Sequence, residues 1–129
     1  CGKPATDVPA QGGQDWAPLR YTYAGLREID PHWVEEHRDQ VLVLDVREPG
    51  EFDSVLGHIA GALLLPLGEL RAKLDNVPRD RPVVAVCRSG ARSARATQIL
   101  DEAGFRVANL AGGMLRWRAQ GLAVEAGGE

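Results

Sequence analysis

Residues 87–93 read Cys-Arg-Ser-Gly-Ala-Arg-Ser. A thiol is followed at once by two arginines, two serines and a glycine. Gly90 permits a tight bend where a side chain would clash, so the backbone after Cys87 can curl and turn several N–H groups inward on the sulfur. A helical pattern starts near residue 91, and its positive end would point at the same spot. Arg88 and Arg92 add permanent charge. One guanidinium at ~5 Å in an effective dielectric of ~20 is worth roughly 3 kcal/mol before screening. Each feature favours thiolate over thiol, so the Cys87 pKa is expected below the ordinary value. The plain alternative is an inert cysteine packed at the end of a strand, a common place for free Cys. However, two Arg, two Ser and a Gly make a poor core and a good cradle for an anion. The expectation is therefore a nucleophilic Cys87.

The elements that must position this loop can be read on either side of it. Residues 82–87 (PVVAVC) form an apolar run too short for a helix, as do 41–46 (VLVLDV) and 62–65 (ALLL). Such runs suit strands buried on both faces of a parallel sheet. A fourth strand is predicted over 105–110. Asp30-Pro31 opens a helix through Trp33, Val34 and His37, with Asp as the cap and Pro in the first turn. Leu67, Leu70 and Leu74 follow at helical spacing. A helix over 91–103 carries Ala96, Ile99, Leu100 and Ala103 on one face, with Gly104 as its C-terminal cap. Gly112-Gly113 turns into a last helix through Met114 and Trp117, ended by Gly121. Strands alternating with helices imply an α/β fold: a parallel sheet with helices on both faces. Ligands of such sheets bind beyond the carboxyl ends of the strands, which is where Cys87 falls.

The chain has 129 residues, a net charge of −3 and 44% apolar residues. One domain is expected, and a disordered or fibrous chain is excluded. A negative balance argues against nucleic-acid binding, because neutralising phosphates takes a basic surplus. No apolar run approaches the ~20 residues that span a bilayer, so no membrane partner and a cytoplasmic location are expected. Two cysteines, Cys1 and Cys87, make no disulfide framework. No His or Cys spacing matches a metal site, and no cofactor is expected. The chain opens on Cys1, not Met, so it reads as a processed product or a piece of something longer. Residues 1–15 are rich in Gly, Pro, Gln and Asp and lack periodicity, as a linker does. The expected boundaries are a linker or flexible segment over 1–20 and a domain over 21–129, with Trp16 placed to dock the linker. A Cys at the first mature position also suits lipidation, but no signal segment accompanies it.

Four ordered segments then bring a family into view. The loop CRSGARS after VVAV resembles the active-site loop of rhodanese-like sulfurtransferases. Residues 45–52 (DVREPGEF) resemble that family's DVRE-x-x-E-F segment, 57–62 (GHIAGA) its GHI-x-GA segment, and 109–117 (NLAGGMLRW) its terminal L-x-GG-x-x-x-W segment. The resemblance spans about residues 22–124. It implies that Cys87 takes a sulfane sulfur from a donor such as thiosulfate or a small persulfide. Cys87 then passes it to cyanide or a thiol such as glutathione. Arg88, Ser89, Gly90, Ala91 and Arg92 would bind the substrate, the two arginines gripping an anionic donor. Related phosphatases and arsenate reductases carry one more residue between cysteine and arginine, so the shorter ring here fits a single sulfur better than a tetrahedral oxyanion. Non-catalytic relatives typically lack the cysteine.

Asp45 and Arg47 lie at the end of a buried strand and are read as an ion pair that ties the loop down, with Ser93 and His58 also in supporting roles. His58 is read as a hydrogen-bonding residue. Trp33 and Trp117 are read as packing, and His32 and His37 as part of the first helix. The flank Cys1-Gly2-Lys3-Pro4, with Trp16-Ala17-Pro18-Leu19, resembles the junction in fusions of a metallo-β-lactamase-fold persulfide dioxygenase to a rhodanese domain. That resemblance implies an N-terminal persulfide dioxygenase domain upstream, carrying its own metal.

Overall fold

The computed structural model describes residues 16–22 and 25–125. Six strands form one sheet: β1 (Arg20–Tyr21), β2 (Arg27–Ile29), β3 (Leu42–Asp45), β4 (Leu63–Leu64), β5 (Val83–Val86) and β6 (Val107–Leu110). Their order across the sheet is β1-β2-β6-β5-β3-β4, with β5 between β6 and β3. All pairings are parallel except β1–β2. Every residue of β3, β5 and β6 is buried. Strands covered on both faces are mostly apolar, which is why these segments read as apolar runs; their two polar residues, Asp45 and Asn109, are buried as well.

Alternation along the strands divides the core in two. Leu42, Leu44, Val83, Ala85 and Val107 join Leu70, Ala96, Ile99 and Leu100 on one face. These partners come from α3 (Leu67–Leu70) and α4 (Ala91–Glu102). Val43, Val84, Val86, Ala108 and Leu110 pack on the other face with Val34, Met114 and Trp117, from α1 (Pro31–Glu36) and α5 (Gly113–Ala119). Each fully buried Val, Leu or Ile contributes roughly 1.5–3 kcal/mol. A short helix, α2 (Pro49–Phe52), lies between β3 and β4.

The helix after Asp30 begins as predicted. The Asp30 carboxylate accepts from the His32 backbone N–H at 2.9 Å, and Pro31 takes the first turn. It ends one residue early, at Glu36, with His37 as its cap. The Leu67/Leu70/Leu74 pattern does not form one helix. It breaks into α3 and a 3-10 stretch, Arg71–Asn76, in which Lys73 leaves helical geometry.

The expected parallel sheet is present, and β1 and β2 extend it with an antiparallel pair that the apolar-run criterion missed. Both are short and polar, and only Ile29 is buried. Edge strands of this kind add an antiparallel ribbon to an otherwise parallel sheet. Residues 1–15 of the expected linker lie outside the described residues. Trp16, Ala17 and Leu19 pack against the α1/α5 face, Trp16 meeting Trp33 edge-on at 5.9 Å between ring centroids.

Candidate active site

Cys87 follows the last residue of β5, which lies inside the sheet between two parallel neighbours, β6 and β3. Its loop is held from behind by α5. The Met114 N–H donates to the Cys87 carbonyl at 2.9 Å, and the Leu115 N–H donates to the Arg88 carbonyl at 3.0 Å. These are first-turn donors that a helix cannot satisfy internally. They draw the loop carbonyls outward, and the loop N–H groups are left to face the sulfur. Gly113 makes the approach possible. Its φ is +60°, and a Cβ there would sit 2.6 Å from both carbonyl oxygens. Gly90 is needed for its backbone angle alone. Its φ is +110°, whereas a Cβ would meet nothing closer than 3.8 Å.

The Gly90 N–H donates to Cys87 Sγ at 3.0 Å. The Ser93 hydroxyl lies 3.3 Å from the same sulfur and 2.5 Å from Asn109 Oδ1. Asn109 Nδ2 donates to the Gly90 carbonyl at 3.1 Å. The Thr97 hydroxyl donates to the Ser93 carbonyl at 2.7 Å. Cys87, Ser93, Thr97 and Asn109 are all buried, so this polar network sits against the α3/α4 core and is stabilising because its members are satisfied.

Burial pushes the Cys87 thiol up, but hydrogen bonds outweigh it. The Ser93 hydroxyl and the backbone N–H groups of Ser93, Gly90 and Ser89 together bring the pKa below the ordinary thiol value. The direction is the one expected, and of the expected causes the hydrogen-bond donors at contact distance lead, ahead of the guanidiniums. Arg92 is engaged elsewhere. It forms a two-pronged pair with Glu51, Nη1 to Oε1 at 2.6 Å and Nη2 to Oε2 at 2.7 Å. Arg92 holds the Glu51 carboxyl down to about 2, against the cost of burial. The attraction between Arg92 and a Cys87 anion still raises the Arg92 pKa, after the larger effect of Glu51. Arg88 and Ser89 are exposed, as is Ala91. Arg88 makes no ion pair among the described residues.

Asp45 and Arg47 form a fully buried pair, 2.7 Å between Arg47 Nη2 and Asp45 Oδ2. Arg47 also donates to the Gly57 carbonyl at 2.8 Å and the Glu51 carbonyl at 3.2 Å. It thus fastens the chain around α2, from which Glu51 reaches Arg92. His58 stacks on Phe52 at 3.7 Å between centroids, and its Nδ1 lies 3.0 Å from the Phe52 carbonyl. Neither Asp45, Arg47 nor His58 hydrogen-bonds the sulfur.

Two participants were missed from the sequence. Glu51 stands in the quoted 45–52 segment but received no role, because nothing local reveals a partner 41 residues away. Asn109 stands in the predicted fourth strand and in the 109–117 segment, with no role of its own. A signal was available: in a strand reading VANL, an amide falls on a core-facing alternate position, where it needs a buried polar partner.

Among the described residues no group of three His, Cys, Asp or Glu could hold a metal ion. Among the described residues, too, no helix is long and apolar enough to cross a membrane. Residues 30–120 match the model of the rhodanese-like domain. A sulfurtransferase of Allochromatium vinosum is 42% identical over 105 residues, covering 78% of this chain and 96% of that protein. The crystal structure of a rhodanese-related protein from Thermoplasma volcanium superposes with a TM-score of 0.70 at 33% identity, covering 74% of this chain and 94% of that one. A NAD-dependent persulfide reductase from A. fulgidus shares 40% identity with a TM-score of 0.52, over 60% of this chain and 14% of that one. On these matches, this chain belongs to the rhodanese-like domain family, alongside sulfurtransferases.

Proposed function

We propose that this chain moves sulfane sulfur through a persulfide on Cys87. The Cys87 thiolate attacks the outer sulfur of thiosulfate, or the sulfane sulfur of a small persulfide. The new S–S bond forms as the donor's S–S bond breaks, and sulfite or a thiolate leaves with the electron pair. An acceptor, cyanide or a thiol such as glutathione, then attacks the outer sulfur. Cys87 departs as the thiolate that began the cycle. Thiocyanate or a new persulfide is released.

The observation that carries this reading is the 3.0 Å bond from the Gly90 N–H to Cys87 Sγ, with the Ser93 hydroxyl at 3.3 Å. A thiolate held by fixed donors is a nucleophile at neutral pH. Ser89, Gly90 and Ala91 would supply the cradle for the outer sulfur. Arg88, exposed and unpaired with any described carboxylate, would meet an anionic donor first. Arg92, with two of its donors given to Glu51, contributes its charge. Persulfide chemistry is also named for the reductase to which this chain is similar. We place the reaction in the cytoplasm, where a free thiol stays reduced. In a longer protein, a fused persulfide dioxygenase domain would draw on the same small persulfides that this domain takes or makes.

The test is thiocyanate formation from thiosulfate and cyanide, with mass spectrometry after thiosulfate alone. The intact chain should turn over and gain one sulfur on Cys87. Cys87→Ala should do neither. A Cys87→Ala chain as active as its parent overturns the assignment.

A further inference from the structure

Ser93 has one hydroxyl proton and two acceptors within reach. Its Oγ lies 2.5 Å from Asn109 Oδ1 and 3.3 Å from Cys87 Sγ. The Asn109 amide is not free to turn. Its other end lies 3.1 Å from the Gly90 carbonyl, which only accepts, so Nδ2 faces Gly90 and Oδ1 faces Ser93. Oδ1 also only accepts. The serine must therefore be the donor to Asn109, and the same proton cannot serve the sulfur at that moment.

We propose that Asn109 is a positioning residue that competes with Cys87 for the Ser93 proton, holding it while the sulfur is uncharged and yielding it when Sγ becomes a thiolate. The proposal rests on Cys87 being the nucleophile. In the thiol state the hydroxyl donates to Oδ1. As Cys87 loses its proton, the hydroxyl rotates, gives up the bond to Oδ1 and donates to Sγ. Once Sγ is bonded to a sulfane sulfur, the charge lies on the outer atom and the hydroxyl returns to Asn109. Ser93 keeps its proton throughout. Asn109 thus favours the uncharged sulfur and holds the thiolate above the basicity Ser93 alone would set. A very stable thiolate is a weaker nucleophile, so this competition preserves reactivity. Asn109 is 3% exposed and has both ends of its amide bonded, so its site is built rather than incidental.

Charged groups on the elements around Cys87 are Arg88 in the loop, Arg92, Arg95, Asp101 and Glu102 on α4, Glu51 on α2, the Asp45–Arg47 pair at the end of β3, and Arg116 and Arg118 on α5. All are kept in every variant below.

The test is a double-mutant cycle on the Cys87 thiolate pKa, read from the rate of iodoacetamide alkylation against pH. The four chains are the parent, Ser93→Ala, Asn109→Ala and the double variant. Loss of the Nδ2 bond to Gly90 acts equally with and without Ser93, so the cycle isolates the part that passes through the serine. Asn109→Ala should lower the pKa more in the parent chain than in the Ser93→Ala background, by about half to one unit, the size of one net hydrogen bond. A difference of zero, or of opposite sign, overturns the proposal. If Asn109→Ala does not fold, nitrogen-15 NMR reads the same event with Asn109 intact. The Asn109 side-chain amide signal should shift with the midpoint of Cys87 ionisation, and most of that shift should vanish in Ser93→Ala. An unchanged shift in Ser93→Ala overturns it. Neither measurement needs sulfur transfer. A chain that fails the thiocyanate assay would sink the proposed function and still give a readable result here.

Discussion

The carboxylate of Glu51 meets the guanidinium of Arg92 end-on, 2.6 and 2.7 Å across two parallel hydrogen bonds, joining α2 to the first turn of α4 beside Cys87. The pair is about one-third exposed on each side, so its worth is held to about 1 kcal/mol by solvent screening. Its value lies in geometry: it fixes which way Arg92 faces relative to the sulfur.

Acid stability should report this pair. The Glu51 carboxyl is lowered from 4.5 to about 2 by folding, first through the Arg92 hydrogen bonds. A lowered acid contributes stability that is complete above its unfolded value and disappears as pH falls through the folded one. In thermal melts between about pH 6 and 2, the parent should lose more stability than Glu51→Gln across the window from 4.5 down to about 2. Parallel curves for the two chains would show the pair to be energetically idle.

Gly113→Ala should damage both stability and chemistry. The added Cβ would lie 2.6 Å from the Cys87 and Arg88 carbonyl oxygens, at a φ of +60°. Backbone strain alone costs about 1–3 kcal/mol, and the collision adds to it. Urea denaturation should show a loss of about 3 kcal/mol. Alkylation of Cys87 at neutral pH should slow, because the carbonyls that α5 draws outward would be pushed toward the sulfur.

Arg47→Met should unfold the protein without retuning the thiol. The substitution leaves Asp45 buried and unpaired, a loss of about 3–5 kcal/mol. Arg47 makes no hydrogen bond to Cys87, so the folded fraction should alkylate with the parent's pH midpoint. A shifted midpoint would place Arg47 in the chemistry.

Arg88→Ala separates donor binding from nucleophile strength. Arg88 is exposed and contributes none of the leading influences on the Cys87 pKa. With thiosulfate, KM should rise about tenfold, in keeping with the loss of one charge-assisted hydrogen bond. The pH midpoint of Cys87 alkylation should hold. Unchanged KM would transfer the donor's grip to Arg92 or to the backbone.

Some of this molecule was determined by local sequence alone. Unbroken apolar runs at 41–46 and 82–87 became buried parallel strands because only such strands bury both faces. Asp30-Pro31 opened a helix because capping is a contact within a few residues. Cys87 followed by Gly90 announced a tight bend around the sulfur for the same reason. Tertiary structure alone decided the rest. β1 and β2 carry too little apolar surface to reveal themselves and exist because β6 offers them an edge. Arg92 looked free for a substrate until α2 brought Glu51 to it. Ser93 reads as a supporting residue of the loop, but only β6 sets Asn109 against it. Charges and hydrogen bonds take partners by distance in space, and a chain carries no local mark of which distant residue folding will bring near.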